Sequence, residues 1–355
     1  MQQRTFLGIN ERLSLFITLL LITSAILLSP AIMVRGDSNS IGSGAIFQSG
    51  FGARALGMGG AFVAIADDYS ATYWNPAGVT RATSIYLGGM RYDKFGLGLN
   101  LDYLSGGLPL MSSPEASNSF IPNISLPLLE QFSLSASYLG FSTDVRTLGP
   151  GGSEIPITYA ERSILATAGL QFPVLGSLGV SVKNYMYSAP DAGIDGENAS
   201  ANGLGFDIGL LSEPVKNFSI GAAAFDLTGT SIQWHNTPSE PTDLIPARYS
   251  LGAAYKFDFS AFSITDIIPG TLTVAGQYSF GPDIEAKARA GLEYVFSLLS
   301  LRAGAIKPLE SDPYLTAGAG LRIRFIRADL AWIQNTALQG EETTDTIVFS
   351  TQFDF

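Results

Sequence analysis

Apolar and polar residues alternate along most of this chain in segments of about ten residues, and this period restricts the fold more than any other feature of the sequence. Near the C-terminus, Ile347, Phe349 and Phe353 fall on one face of such a segment, while Ser350 and Gln352 fall on the other. A period of two residues is that of a β-strand with one apolar face. The sequence therefore predicts an all-β protein.

The alternation predicts fifteen strands after residue 82. Nearly all of them have the length that crosses a bilayer at a tilt, roughly ten residues. The predicted strands are 83–92, 95–105, 119–128, 131–141, 161–173, 177–187, 203–212, 217–228, 247–259, 270–280, 285–296, 299–307, 314–325, 327–336 and 345–355.

Alternation also fits a soluble β-sandwich, so the deciding question is which face meets water. A sandwich chain of roughly 300 residues normally divides into domains, and no linker is visible in this sequence. In a membrane barrel the apolar face meets lipid and the polar face lines a lumen. The amphipathic strand that ends at Phe355 favours the barrel, as do aromatic residues near predicted strand ends, where interfacial girdles lie. These aromatic residues are Tyr92, Tyr103, Tyr138, Phe172, Tyr249, Phe257, Tyr278, Phe280, Tyr294, Phe296, Phe325 and Trp332.

The predicted strand number needs one correction, because a single-chain bacterial barrel has an even number of strands. We expect the first two segments to form one long strand with a bend at Asp93-Lys94, which leaves fourteen. The segment 119–128 is the second choice for removal, because Pro122 and Pro127 are poor residues for a strand interior.

The N-terminus has the pattern of a secretory signal peptide. Arg4 and Arg12 precede an uncharged apolar run over residues 13–34, and we expect cleavage after Gly36, with Ala31 as the second choice. The run is also long enough to remain as an uncleaved helical anchor, for which roughly 20 apolar residues suffice. In either case the remaining chain leaves the cytoplasm.

Composition excludes several classes of function. The chain has 355 residues, no cysteine and a single histidine, His235, in a predicted loop. These counts exclude thiolate and multi-histidine metal sites and make a catalytic triad improbable, so we expect no metal, no cofactor and no enzymatic activity. The net charge of −11 comes without a basic stripe, which argues against a nucleic-acid partner.

Residues 53–78 fit neither a regular helix nor a regular strand. The glycines at 57, 59 and 60 suggest a phosphate loop, but a dinucleotide fingerprint needs a buried strand before it and a long helix after it, and Asn75-Pro76 ends any helix. The stretch instead resembles the N-terminal region of the long-chain fatty-acid transporter (FadL-type) superfamily of outer-membrane proteins, closest to the PorV/PorQ-like branch. The residues that carry this resemblance are the string from Ala53 to Ala64, the pair Asp67-Asp68, and Tyr73-Trp74-Asn75-Pro76-Ala77-Gly78.

The resemblance implies a 14-stranded barrel in the bacterial outer membrane, with an N-terminal segment that folds back into the lumen as a hatch. The predicted organisation is a signal peptide over residues 1–36, the hatch over 37–82 and the barrel over 83–355. A soluble N-terminal cap is the alternative for the hatch. Glycines permit close backbone approach, and the Asn-Pro pair turns the chain into the wall. The hatch motif comprises Gly57, Gly59, Gly60, Asp67, Asp68, Asn75, Pro76, Ala77 and Gly78.

Charged residues are predicted to face the lumen from the last strands. We expect ion pairs between arginines of this wall and the acidic hatch residues Asp67 and Asp68, because inward charges in barrels usually pair. The alternative is that some of the arginines bind a ligand carboxylate. The predicted inward charges are Arg289, Arg302, Arg322, Arg324 and Arg327, together with Glu285, Glu293 and Asp329.

Two functions follow from the resemblance. The first is passive transport of hydrophobic small molecules, such as fatty acids or hydrocarbons, by capture at the outer loops, passage past the hatch and lateral exit through the wall. The short, weakly apolar loops depart from that pattern. The second is a PorV-like role as a subunit or docking partner in a protein secretion or surface-attachment system. Expected partners are outer-membrane lipid, a hydrophobic ligand or secretion-system proteins, and the barrel assembly machinery.

Overall fold

The computed structural model describes most of the chain that follows the predicted signal peptide. The described residues are 48–94, 98–112, 129–143, 145–148, 154–259, 270–335 and 345–355. The predicted signal peptide, the first part of the predicted hatch (37–47) and the predicted strand 119–128 lie outside these residues.

The described chain consists mainly of β-strands, because the alternating segments pair with their neighbours. The strands are β1 Tyr86–Lys94, β2 Leu99–Ser112, β3 Gln131–Thr143, β4 Val145–Leu148, β5 Glu154–Ile157, β6 Ala160–Phe172, β7 Gly176–Ala189, β8 Ala199–Val215, β9 Phe218–Phe225, β10 Thr230–His235, β11 Thr242–Ile245, β12 Arg248–Asp258, β13 Thr271–Gly281, β14 Ile284–Phe296, β15 Leu299–Pro308, β16 Tyr314–Ile323, β17 Ile326–Ile333 and β18 Thr346–Asp354. The helical elements are Ala53–Gly57, Ala71–Trp74 and the 3-10 helices Pro76–Arg81 and Ile194–Gly196. Among the described residues, no helix combines the length and the apolar character needed to cross a membrane.

Fourteen strands close into an antiparallel barrel, as the sequence predicts. Strands β1 and β18 pair from Tyr86↔Asp354 onward, and β8 pairs with β9, so the ring has no open edge. The remaining strands form two hairpins: β4 pairs with β5, and β10–β11 extends the sheet beyond β8. We call the end of the barrel at Tyr86 and Asp354 the terminal rim and the opposite end, which carries both hairpins, the hairpin rim.

The apolar face of the strands points outward. In β18, Ile347 is 65% exposed and Phe349 is 55% exposed, whereas Val348 and Ser350 between and beside them are buried. This is the reverse of a sandwich, whose apolar faces meet in a core. The closed ring and the outward apolar face confirm the barrel.

Outward aromatic residues cluster near both rims. Tyr255 and Phe257 pack with ring centroids 4.6 Å apart near the terminal rim, and Tyr249 and Phe280 pack at 5.6 Å near the hairpin rim. Such rings suit the two interfaces of a bilayer. Two members of the predicted girdle, Tyr92 and Tyr103, differ: both are buried inside the barrel, because their positions fall on the inward phase of β1 and β2.

The barrel has fourteen strands as expected, but the predicted number of fifteen is not reduced in the way that we expected. Strands β1 and β2 are separate and form a hairpin, so the expectation of one bent strand is wrong. The Asp93 carboxylate accepts hydrogen bonds from the backbone N–H groups of Gly98 and Leu99, both at 3.0 Å, and so holds the turn closed. Strand β2 pairs directly with β3, for example at Leu108↔Leu134.

Candidate functional site: the occupied lumen

Residues 48–81 lie inside the barrel, and we call them the luminal segment. Phe51, Met58 and Phe62 are fully buried, so the middle of the lumen is packed as a protein core. Trp74 donates its indole N–H to the carbonyl of Phe51 at 2.7 Å, which ties the two ends of the segment together.

The glycine motif allows the luminal segment to touch the wall backbone to backbone. Gly59 has a φ of +66°, which favours glycine, and its N–H donates to the hydroxyl of Thr316 on β16 at 2.9 Å. A Cβ on Gly304 of β15 would lie 2.1 Å from the Gly59 nitrogen. Gly57 approaches Gly318 in the same way, with 3.1 Å between its hypothetical Cβ and the Gly318 Cα. Small residues on both surfaces therefore make this contact possible.

The Asn-Pro-Ala-Gly motif anchors the segment on the other side of the lumen. The side-chain oxygen of Asn75 accepts from the N–H of Ala77 at 3.1 Å and caps the 3-10 helix that Pro76 begins. Its amide nitrogen donates to the carbonyls of Val63 at 2.8 Å and of Leu210, in β8, at 2.9 Å. The motif thus joins two parts of the segment to the wall. Gly78, the last residue of the motif, lies against Ala66. A Cβ added to Gly78 would lie 2.1 Å from the Ala66 carbonyl oxygen.

Two inward glutamines also bind the backbone of the luminal segment. The side-chain oxygen of Gln277 on β13 accepts from the N–H groups of Phe62 at 3.0 Å and Val63 at 2.9 Å. That of Gln352 on β18 accepts from the N–H of Tyr69 at 3.1 Å. Neither glutamine was among the predicted site residues, although their inward strand phase was a usable signal.

A buried chain of charges connects the segment to strands β14, β15 and β17. Arg54 donates to both carboxylate oxygens of Glu293, at 2.8 and 2.7 Å, in a bidentate pair. Glu293 also accepts from Arg302 at 2.7 Å, and Arg302 Nη1 lies 2.8 Å from Asp329 Oδ1. Removing one partner from such a buried network leaves the others uncompensated.

Asp67 and Asp68 pair with an arginine of their own segment and not with one of the predicted wall arginines. Arg54 forms an ion pair with Asp67, and its Nη1 lies 3.4 Å from Asp68 Oδ2. The wall contributes the acid Glu293, so the charges across the contact are the reverse of those expected. Arg54 was not among the predicted site residues.

The five predicted lumen arginines have different environments. Arg302 lies within the network, and Arg289 donates to the Ser279 hydroxyl at 2.8 Å. Arg322 is 60% exposed at its side chain and lies 3.8 Å from the Asp354 carboxylate, while the Nη1 atom of Arg327 is buried without a hydrogen-bond partner among the described residues. Arg324 does not project inward: it is exposed in the turn after β16 with a φ of +50°, because the strand alternation ends at Ile323. Glu285 accepts from the hydroxyl of Ser311 at 3.0 Å at the hairpin rim.

Charged residues line the lumen between the luminal segment and the terminal rim. Cavities of about 470 and 370 Å³ meet there around Asp67, Arg81, Arg322 and Arg327, and we call this space the charged vestibule. Burial by itself raises the pKa of Asp67, but the guanidinium groups of Arg54 and Arg81 outweigh it and hold this pKa below its usual range. Asp67 is therefore charged at neutral pH.

Aromatic side chains line the other compartment, between the luminal segment and the hairpin rim. Tyr185 and Tyr187 lie 6.4 Å apart between ring centroids, and Tyr187 lies 6.4 Å from Trp234 and 6.3 Å from Tyr159. Phe141 contacts Tyr159 at 6.4 Å. We call these five rings the aromatic ladder. They form a continuous series of ring contacts inside the barrel.

The wall beside this compartment has an interrupted strand pairing, which we call the seam. Strand β8 pairs with β9 as far as Ile208↔Ala224, and with β10 only from Asn202↔Gln233. Residues 203–207 of β8 lie between these two paired stretches. A backbone hydrogen bond from Leu227 N–H to the Phe206 carbonyl, at 2.9 Å, crosses the interruption.

The described residues contain no cluster of three or more histidine, cysteine or acidic side chains placed to hold a metal ion. No protein-family model matches the sequence, and neither does any curated protein.

Several solved structures have a similar fold. The Ralstonia pickettii toluene transporter TbuX is similar with a TM-score of 0.54 and 14% identity, over 86% of this chain and 98% of that one. The Pseudomonas putida toluene transporter TodX has a TM-score of 0.52 and 14% identity, over 86% and 99%. A Pseudomonas aeruginosa FadL homologue has a TM-score of 0.51 and 13% identity, over 85% and 98%. At these identities the likeness shows the fold of FadL-type barrels, and the finer resemblance to the PorV/PorQ-like branch stays a prediction.

Proposed function

We propose that this protein lies in the outer membrane and lets hydrophobic small molecules of the hydrocarbon or fatty-acid type cross it passively. The observation that carries the proposal is the aromatic ladder inside a barrel whose outer face is apolar. The names of the toluene transporters with the same fold support the class of solute.

The luminal segment and the charged vestibule oppose a straight path through the barrel. An apolar solute in the vestibule would displace water from Asp67, Arg322 and Arg327 without replacing its hydrogen bonds, which is unfavourable. A solute that enters along the aromatic ladder therefore leaves sideways into the membrane.

The seam is the exit that we propose. It adjoins the aromatic compartment, because Phe225 and Asp226 line a cavity there at the point where β9 ends. Opening the seam breaks fewer interstrand hydrogen bonds than separating two fully paired strands. Strands β14 and β15, for example, pair continuously from Lys287↔Pro308 to Phe296↔Leu299.

A disulfide across the seam tests this route, and the absence of native cysteine makes the experiment clean. The double variant Phe206→Cys, Leu227→Cys joins residues linked by a backbone hydrogen bond. We expect cells producing the oxidised variant to take up toluene at the rate of cells without the barrel, and reductant to restore uptake. The control is Leu292→Cys, Ala303→Cys across a continuous pairing, which should leave uptake unchanged.

Two results would contradict the proposals separately. Wild-type barrel that adds no toluene uptake to that of cells without it would overturn hydrophobic transport. Uptake that persists with the seam disulfide formed would overturn only the exit route. Stable co-isolation with a secretion channel would favour the alternative docking role, for which the described structure offers no specific feature.

A further inference from the structure

A buried charge cluster lies at the junction of the aromatic compartment and the seam. Lys183 on β7 places its ammonium group 2.8 Å from Asp207 Oδ1 and 2.7 Å from Asp226 Oδ2. Asp226 also accepts hydrogen bonds from Tyr185, at 3.1 Å, and Thr230, at 2.7 Å. The ion-pair network near the terminal rim does not include these residues.

Two polar atoms beside this cluster have no partner among the described residues. They are the second carboxylate oxygen of Asp207 and the hydroxyl of Ser163 on β6, and both residues are at least 98% buried. An unsatisfied buried acceptor is costly, and the cost is larger for a charged group. The site therefore favours any molecule that brings a hydrogen-bond donor to Asp207.

The same two residues line a cavity of about 40 Å³ whose other walls combine apolar side chains with the charged groups of Lys183, Asp226 and Arg248. Leu165 and Phe225 form part of these walls, and Tyr185 connects the cavity to the aromatic ladder. The volume accommodates a water molecule or the polar end of a larger ligand. The body of such a ligand would extend along the ladder toward the hairpin rim.

The chemistry of the cavity selects among ligand classes. The cavity is lined by two anions, Asp207 and Asp226, and two cations, Lys183 and Arg248, so a carboxylate would add an uncompensated negative charge. A plain hydrocarbon would leave the Asp207 oxygen unsatisfied. A hydroxyl can donate to Asp207 and accept from Ser163, while an attached ring or alkyl chain contacts the apolar wall.

We propose that Asp207 and Ser163 bind the hydroxyl group of small phenols or alcohols and so make the barrel selective for hydroxylated apolar molecules. This inference rests on the proposed transport function and specifies its preferred solute. Asp207 and Ser163 are the specificity-determining residues.

The test compares phenol, toluene and benzoate as ligands of the full-length barrel purified in detergent, by isothermal titration calorimetry. We expect phenol to bind about tenfold more tightly than toluene, the size of one hydrogen bond to a charged group, and benzoate to bind more weakly than phenol. Ser163→Ala should reduce the ratio of phenol to toluene affinity several-fold, and Asp207→Asn should reduce it further. Ser181→Ala is the matched control, because Ser181 is an equally buried inward serine that is satisfied by Thr167 at 2.8 Å.

Each outcome distinguishes this inference from the transport proposal. Toluene binding with no preference for phenol, or a preference that both Ser163→Ala and Asp207→Asn leave unchanged, would overturn the hydroxyl site and leave transport standing. Phenol binding without toluene binding would support the site and count against hydrocarbon transport. Binding of neither ligand would overturn both. Heat-modified mobility on gels checks that each variant keeps its barrel, and Ser163→Ala keeps the test valid if Asp207→Asn fails to fold.

Discussion

The two compartments of the lumen differ in how they satisfy polar groups. Near the terminal rim, the charges of Arg54, Glu293, Arg302 and Asp329 form a connected network that fixes the luminal segment to the wall. Near the hairpin rim, aromatic rings dominate, and at the polar cluster around Asp207 the second Asp207 oxygen and the Ser163 hydroxyl have no partner among the described residues. We therefore propose that the first compartment closes the barrel and that the second receives a ligand.

The largest expected effect comes from breaking the closing network. Arg54→Ala leaves Glu293 and Asp68 buried without their shared cation, which costs about 3–5 kcal/mol of folding stability. We expect a lower melting temperature of the purified barrel. We also expect the luminal segment to be displaced from its position in the lumen, which would be detected as a new ion conductance in planar bilayers.

A surface ion pair provides the control for this variant. Arg91 lies 3.6 Å from Asp102, but its side chain is 65% exposed, so Arg91→Ala should change stability by at most about 1 kcal/mol and leave conductance unchanged. Equal effects of the two substitutions would contradict the closing role of the network.

The second effect tests the close contact of two backbones. Gly304→Ala places a methyl group 2.1 Å from the Gly59 nitrogen, and we expect overpacking to cost about 1–3 kcal/mol of stability. Gly276→Ala is the matched control on a neighbouring part of the wall, since the nearest atom to its new Cβ is 4.0 Å away. Thermal melting of both variants measures the difference, and equal melting temperatures would contradict the proposed contact.

The third prediction tests the ligand side of the comparison. Trp234→Ala removes the outermost ring contact of the aromatic ladder, a contact worth about 0.5–1.5 kcal/mol, so toluene uptake should fall by up to about tenfold. Trp332→Ala removes an indole from the outer face and should leave uptake unchanged. Uptake that responds to Trp332 and not to Trp234 would place the apolar route outside the lumen.

The smallest effect is a pH dependence of the charged compartment. Because the pKa of Asp67 is below its unfolded value of about 3.9, its ionised form stabilises the folded state above that pH, and the contribution is lost as the pH falls through the lower folded pKa. Melting curves from pH 7 to pH 2 should therefore show a loss of stability below about pH 4 that is smaller in Asp67→Asn. A loss of the same size in both proteins would assign it to other carboxylates.

The sequence predicted the architecture well because each barrel strand carries its own signal. The alternation in β18 alone identifies the outward face, and the same rule applies to every strand. The alternation rule failed at Asp93-Lys94, because the hairpin there involves two hydrogen bonds from backbone N–H groups five and six residues later to one carboxylate, which alternation does not reveal. The alternation rule also failed at Arg324, because the inward and outward alternation of a strand does not continue into a turn.

The site was harder to predict because its contacts join residues far apart in the chain. Arg54 and Glu293 are 239 positions apart, and no local pattern pairs them. The strand phase showed that Glu293 faces inward but not which partner would reach it. The cluster of Lys183, Asp207 and Asp226 depends on where β9 ends, which the alternation did not reveal.

Ion conductance of the purified wild-type barrel in planar lipid bilayers tests the central claim most directly. We propose that the luminal segment closes the lumen to water and ions while apolar solutes use the aromatic ladder and the seam. We therefore expect the wild-type protein to show no steady conductance above the baseline of the bilayer in roughly 1 M KCl, because the buried ion pairs of the segment are poorly screened by salt. A stable conductance typical of an open, water-filled barrel would contradict this proposal.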